Sequence, residues 1–264
     1  MSEQVDVFFD ESGKDKNQVS LMGALLMPHN YYTCDDIVTI NNELKQNKFR
    51  LHFTDFSKDS QVPLHRAIRS VFQKPDYVKL NVVAFKKNDH ISRHHFLSNK
   101  GVVSKMIYAK IPERVLYGVL RHYGNFTEVE AKLMIEECSQ YINEDLAKRV
   151  KEQLNVHSLY RNEHFYINQA GLYPKNKEIG IEMTDALLGI IRTIIENKDA
   201  KSKTLRLKKK FIARNLVYLK PVLENVNYYE LNGHSSLENK NFSPYINLFL
   251  SKFDSESAVE NEKR

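Results

Sequence analysis

The order in which strand-like and helix-like segments follow one another restricts this chain more than any other feature. "QVDVFFD" (4–10) and "NQVSLMGALLM" (17–27) are apolar, β-branched and aromatic, and "ESGKDK" between them carries a Ser-Gly turn signal, so the pair predicts a hairpin. "YVKLNVVAFKK" (77–87) alternates and predicts a third strand. "VEAKLMIEE" (129–137) and "EHFYINQAG" (163–171) predict a fourth and a fifth. Helical patterns fall at 34–47, at 63–74 behind Pro63, and at 102–124, where Pro112 is a kink or break. Another falls at 143–154, with Asn143 as N-cap, and a strongly apolar one at 178–197. The segment 204–226 continues as a further helix to near Pro221.

Three antiparallel strands followed by strands alternating with helices is the order of the ribonuclease H-like fold. The expectation is therefore an α/β, ribonuclease H-like mixed sheet flanked by helices. A helical insertion around 30–75 follows strand two, a basic helical extension covers 201–252, and a disordered tail covers 253–264. At 264 residues, 42% of them hydrophobic, the chain is long enough to bury one full core. No apolar run approaches the roughly 20 residues that span a bilayer. The N-terminus has no basic, then apolar, leader pattern. Two cysteines, Cys34 and Cys138, make no disulfide framework, so the expected home is reducing and cytoplasmic. No glycine-rich phosphate loop supports an ATPase or kinase.

The acids sit in unusual places. Strand period two puts Asp6, Phe8 and Asp10 on one face, and Asp10 and Glu11 end strand one. Strand four ends on Glu136 and Glu137, and the apolar late helix carries Glu178, Glu182 and Asp185 at i, i+4 and i+7, one stripe. An aspartate on a buried helix needs an arginine or lysine, hydrogen bonds or a metal. Acids from three elements that converge cannot all stay ionised without cations, and carboxylates suit Mg²⁺ or Mn²⁺. Asp10-Glu11-Ser12-Gly13 is also what a plain hairpin turn would use.

"FFDESG" at the start, "LMIEE" in the middle and "IEMTDALLG" late in the chain resemble a widespread bacterial and phage family, the domain-of-unknown-function family numbered thirty-eight hundred. In that family a first strand ends in Asp-Glu-Ser-Gly, a mid-chain strand ends in an acid, and a late helix carries an aspartate. Here Asp10, Glu11, Ser12 and Gly13 match the first element, Glu136 stands where Asp is usual, and Asp185 matches the helix aspartate, with Glu182 in place of Gln. "RLHFTDF" is similar to a further short motif of the family, His52 matching and Arg50 replacing an acid. The resemblance covers roughly residues 5 to 197. It implies metal-dependent phosphodiester cleavage, with Asp10, Glu136 and Asp185 holding Mg²⁺ or Mn²⁺, Glu11 or Glu182 as additional ligands, and His52 and Ser12 as auxiliaries. It also implies nucleic acid as partner and a phage-defence or mobile-element setting. Arg50 and Glu136 keep a second reading open: a non-catalytic ribonuclease H-like subunit that binds nucleic acid or a protein, with Arg50 or Arg192 filling the acidic site. A homodimer is also compatible.

The net charge of +6 is concentrated in "KSKTLRLKKKFIAR" (201–214). Lys203, Arg206, Lys208, Lys209, Lys210 and Arg214 form a candidate phosphate-tracking surface, and a solvated helix face would look the same. His90 and His94 are spaced to ligate a metal on a helix, but in "NDHISRHH" they read better as exposed loop histidines.

Overall fold

The computed structural model describes residues 2–13, 19–86, 105–123, 127–231 and 236–262, with side chains to 258. The histidines at 90, 94 and 95 lie outside these residues. The five expected strands form as β1 (Glu3–Ser12), β2 (Ser20–Pro28), β3 (Lys79–Phe85), β4 (Val129–Glu136) and β5 (Phe165–Tyr173). They belong to one sheet of order β5-β4-β1-β2-β3, extended beyond β3 by β6 (Asn227–Leu231) and β7 (Leu237–Lys240). β2 runs antiparallel to β1 and β3, while β4 and β5 run parallel to β1. This mixed sheet, flanked by helices on both faces, is the ribonuclease H-like arrangement that the element order predicts.

The C-terminal region departs from the expectation. It is not helical throughout, because "NYYEL" pairs in parallel with β3 and then turns back as β7. Tyr228 of β6 is buried and packs on Phe242, just before the last helix, and on Tyr245 within it, so the strand is tied to that helix through aromatic contacts. Nor is the tail irregular from 253: helix α7 spans Ser243–Glu262. Glu256 holds it there, by taking the ammonium of Lys209 at 2.9 Å.

The sheet separates two cores. On one side, Phe8, Leu21, Leu25 and Met134 meet helices α1 (Asp35–Lys45), α2 (Gln61–Phe72), α5 (Ile179–Glu196), α6 (Lys203–Glu224) and α7. On the other, Val7, Phe9, Met22 and Ile135 meet α3 (Ile111–Leu120) and α4 (Leu146–Tyr160). The alternation of one apolar run between two cores is what a strand covered on both faces requires. Pro112 opens α3 behind a π-turn at Met106–Lys110, since a proline has no N–H to close the regular ladder. Asn143 does not cap α4. It ends a separate short turn, Ser139–Asn143, and Asp145, in the left-handed region at φ 45°, precedes the helix. Among the described residues no helix is long and apolar enough to cross a membrane.

Helix α5 is buried along nearly its whole length and lies across β1. It comes that close because Gly180 faces Phe8. A methyl group there would stand 2.4 Å from the Phe8 ring, and one at Gly189 would stand 2.3 Å from that of Phe53. Gly180→Ala is therefore expected to lower the unfolding free energy by about 1–3 kcal/mol, the usual cost of overpacking a tight core, as read from urea denaturation.

Candidate functional site

Registry brings the first two acids together. Phe9 lies opposite Ile135 in the parallel β1–β4 pair, so Asp10 and Glu136 follow at the same level, on the face shared with Phe8 and Met134. Both stand at the carboxyl ends of parallel strands, where open α/β sheets place their ligand crevices. Helix α5 brings Asp185 over them. Asp10 is 1% exposed, and its carboxyl is held well above the usual carboxylate range. Burial is the main cause. A hydrogen-bonding contact with Glu136 and the charges of Glu136 and Asp185 add to it. The amide of Glu11 donates to Asp10 Oδ1 at 2.7 Å and works the other way.

Each remaining acid has protein partners. Asp185 Oδ2 takes His52 Nδ1 at 3.0 Å and the Phe53 amide at 3.2 Å. The His52 pKa is raised, chiefly by that hydrogen bond, against the opposing effect of burial. Glu136 Oε1 takes Lys175 Nζ at 2.8 Å. Burial acts to lower the Lys175 pKa, but the carboxylates of Glu136, Asp10 and Asp185 outweigh it and the pKa is raised. Glu182, one turn before Asp185 on α5, is buried and accepts the Asn176 amide at 2.6 Å. Desolvation, with smaller help from Asp185 and Glu136, pushes its pKa up to about 7.

The structure thus gathers Asp10, Glu136, Asp185 and Glu182, with His52 beside them. It does not gather Glu11. Strand alternation turns Glu11 to the opposite face, where the Tyr141 hydroxyl donates to it at 3.3 Å. Glu178 also leaves the expected acidic stripe. It caps α5 from outside the helix, accepting Tyr32 Oη (2.8 Å) and Asn41 Nδ2 (3.2 Å) and pairing with Lys45 (2.8 Å), a structural role. Ser12 is buried at the end of β1, just before Gly13 turns at φ 91°. Neither Arg50 nor Arg192 fills the acidic site. Arg50 is exposed, and the Arg192 guanidinium lies beside the Gly13 turn, 3.2 Å from where a Gly13 side chain would begin.

Lys175 is the cation inside, and sequence reasoning missed it. It sits in the loop "YPKNKE" between β5 and α5, where its only signal is position: a lysine three residues before an acid-bearing helix. Of the six basic residues expected on a phosphate-tracking face, Lys208 reaches the site. Its ammonium lies 4.9 Å over the Phe53 ring and donates to Thr54 O. Burial, then the charge of Arg192, lowers its pKa, and the charge of Asp185 opposes that. Lys209 is a correction: it is 1% exposed and neutralised by Glu256, so it offers nothing to a phosphate. Arg206 and Lys210 gather around the same glutamate, while Lys203 and Arg214 are exposed.

No family model and no curated protein matches the chain. Among solved structures, it is similar to the ribonuclease H2 from Pyrococcus horikoshii OT3, at 10% identity over 83% of this chain and 91% of that one, with a TM-score of 0.40.

The donor set suits a hard divalent ion, being carboxylate oxygen throughout. Four acids face two balancing groups, Lys175 and His52, and without a further cation the shortfall is met by protons, as the raised pKa values of Asp10 and Glu182 express. As the side chains stand, no group of three or more His, Cys, Asp or Glu among the described residues is disposed as a ready metal cage. Glu136 is turned to Lys175 and Asp185 to His52, so ligation would require Glu136 to exchange partners.

The pH dependence of stability follows from the buried acids. Glu182 binds its proton near 4.5 when unfolded and near 7 when folded, so between those values the folded state carries more protons and stability falls as pH rises. Asp10 acts with the same sign. The metal-free protein should show a falling urea midpoint across that window, and Glu182→Gln should flatten it.

Proposed function

We propose that this protein is a ribonuclease H-like nuclease that cleaves phosphodiester bonds with Mg²⁺ or Mn²⁺. The observation that supports the reading is that Glu136 and Asp185, from β4 and α5, lie near enough for their charges to act on the fully buried Asp10 carboxyl at the end of β1. Asp10, Glu136 and Asp185 would hold the ion, with Glu182 behind them, and a bound ion supplies an activated water and charge neutralisation at the leaving oxygen. The chain's own cations complete the site. Lys175 pairs with Glu136, and Lys208 feels the charges of both Asp185 and Arg192; these cations would draw a phosphate diester to a cluster that by itself repels it. His52, fixed through Nδ1 by Asp185, keeps Nε2 free to give a proton to the departing oxygen. We further propose membership of the domain-of-unknown-function family thirty-eight hundred, on the Asp10–Gly13 and Glu182–Gly189 motifs, and with it a cytoplasmic role in phage defence or mobile-element biology.

One observation favours a second reading, a subunit that binds nucleic acid or a protein without cutting. The Lys175–Glu136 pair at 2.8 Å already fills part of the charge deficit that a metal would fill.

Labelled single- and double-stranded DNA and RNA, incubated with Mg²⁺ or Mn²⁺, separate the two readings. Metal-dependent cleavage, lost in Asp10→Asn and in Asp185→Asn, is expected. His52→Ala should slow it by about 10–100-fold, as loss of a ligand-orienting partner does. Binding without cleavage, unchanged by Asp10→Asn, would establish the non-catalytic subunit instead.

A further inference from the structure

The acid cluster occupies one face of the sheet only. A cavity of about 360 Å³ opens between α3, the end of α4 and strands β3 and β6. That is the size of a small-molecule pocket. Its floor is Asn81, an amide on a strand interior and 1% exposed. Asn81 Nδ2 donates to Val115 O at 2.8 Å, which fixes the amide's orientation, because the flipped form would set two acceptors against each other. The carbonyl Oδ1 is then left buried without a hydrogen-bond partner among the described residues. An orphaned buried acceptor is costly, and a ligand or water that donates to it removes the cost.

Space for that amide is built in. A methyl group at Gly118 would stand 2.6 Å from Asn81 Nδ2 and 3.0 Å from Oδ1. The rim is strongly basic. Arg114, Arg121 and Arg161 all line it and are exposed. Arg161 is held over the Tyr117 ring, 5.0 Å from its centroid, and Arg121 Nε is bonded to His122. Arg114 has no ion-pair or hydrogen-bond partner among the described residues. The one lining carboxylate, Glu113, is engaged by Lys110 (2.8 Å) and His157 (3.0 Å). A ligand suited to this cavity has an N–H donor at its inner end and an anionic group at its outer end.

We propose that this cavity binds a nucleotide, its base donating an N–H to Asn81 Oδ1 and its phosphate held by Arg114, Arg121 and Arg161. Guanidinium forks suit phosphate, and an exposed rim leaves the phosphate able to continue into a strand. The site lies across the sheet from Asp10, so it does not depend on the nuclease reading.

Isothermal titration of the full chain with AMP, CMP, GMP and UMP, and with a 5′-phosphorylated dinucleotide, tests it. Saturable binding of at least one is expected, weakened about tenfold by Arg114→Ala, where an exposed side chain leaves the thermal midpoint in place. Asp10→Asn should leave the affinity unchanged. Tighter binding of the dinucleotide would assign the site to a strand end, and tighter binding of the mononucleotide to a free nucleotide. Ribose 5-phosphate and inorganic phosphate must bind more weakly than the nucleotide. Equal affinity for phosphate alone would overturn the assignment, as would binding that is indifferent to an Arg114→Ala, Arg161→Ala double change. No binding of any probe would mean that Asn81 is satisfied by a buried water only and would also overturn it.

Discussion

The close crossing of α5 over β1 is the contact on which the rest of this molecule depends. Gly180 and Gly189 let the helix settle against the rings of Phe8 and Phe53, and the apolar length of the helix is buried in return. That contact is hydrophobic and steric, yet its consequence is electrostatic. It lowers Asp185 onto a strand pair whose parallel register has already placed Asp10 beside Glu136. The network around Glu178, with Tyr32, Asn41 and Lys45, pins the start of the same helix to α1, so the helix is held at its end as well as along its length.

Gathering four carboxylates in a nearly dry place works against folding. Each would be more stable in water, and the raised pKa values of Asp10 and Glu182 express that conflict. Lys175 and His52 relieve part of it, and they do so from irregular segments, which can move aside more readily than strands or helices. Local cost kept at one spot of an otherwise well-packed fold is the usual mark of a working site. The buried Lys209–Glu256 pair is the structural counterpart: one charge of each sign, satisfied, and tying α6 to the last helix.

The two faces of the sheet carry opposite electrostatics. The α5 face ends in acids with a few cations nearby, while the α3 face carries arginines around an amide whose carbonyl has no partner among the described residues. A strand alternates its side chains between faces, so β1 and β4 could place acids on one side without weakening the apolar packing of the other.

Much of this was legible in the chain. The order of five strands, the acids at strand ends and the apolar helix with Asp185 all follow from periodicity, which is local and survives without knowledge of neighbours. Alternation even held the answer for Glu11, since residue 11 must face away from residue 10. What sequence could not supply were the pairings set by folding. Lys208 and Lys209 are adjacent in one basic run, yet one overlooks the acids and the other is sealed against Glu256. β6 and β7 became strands because the edge of β3 was open to them, not because their short stretches announce it. Lys175 entered the site because the loop before α5 returns over Glu136. The residues and their periods determined which elements form and which acids stand at their ends. Only the tertiary structure decided which charges meet, because charge pairing depends on distance through space, and a chain encodes that only once its cores have closed.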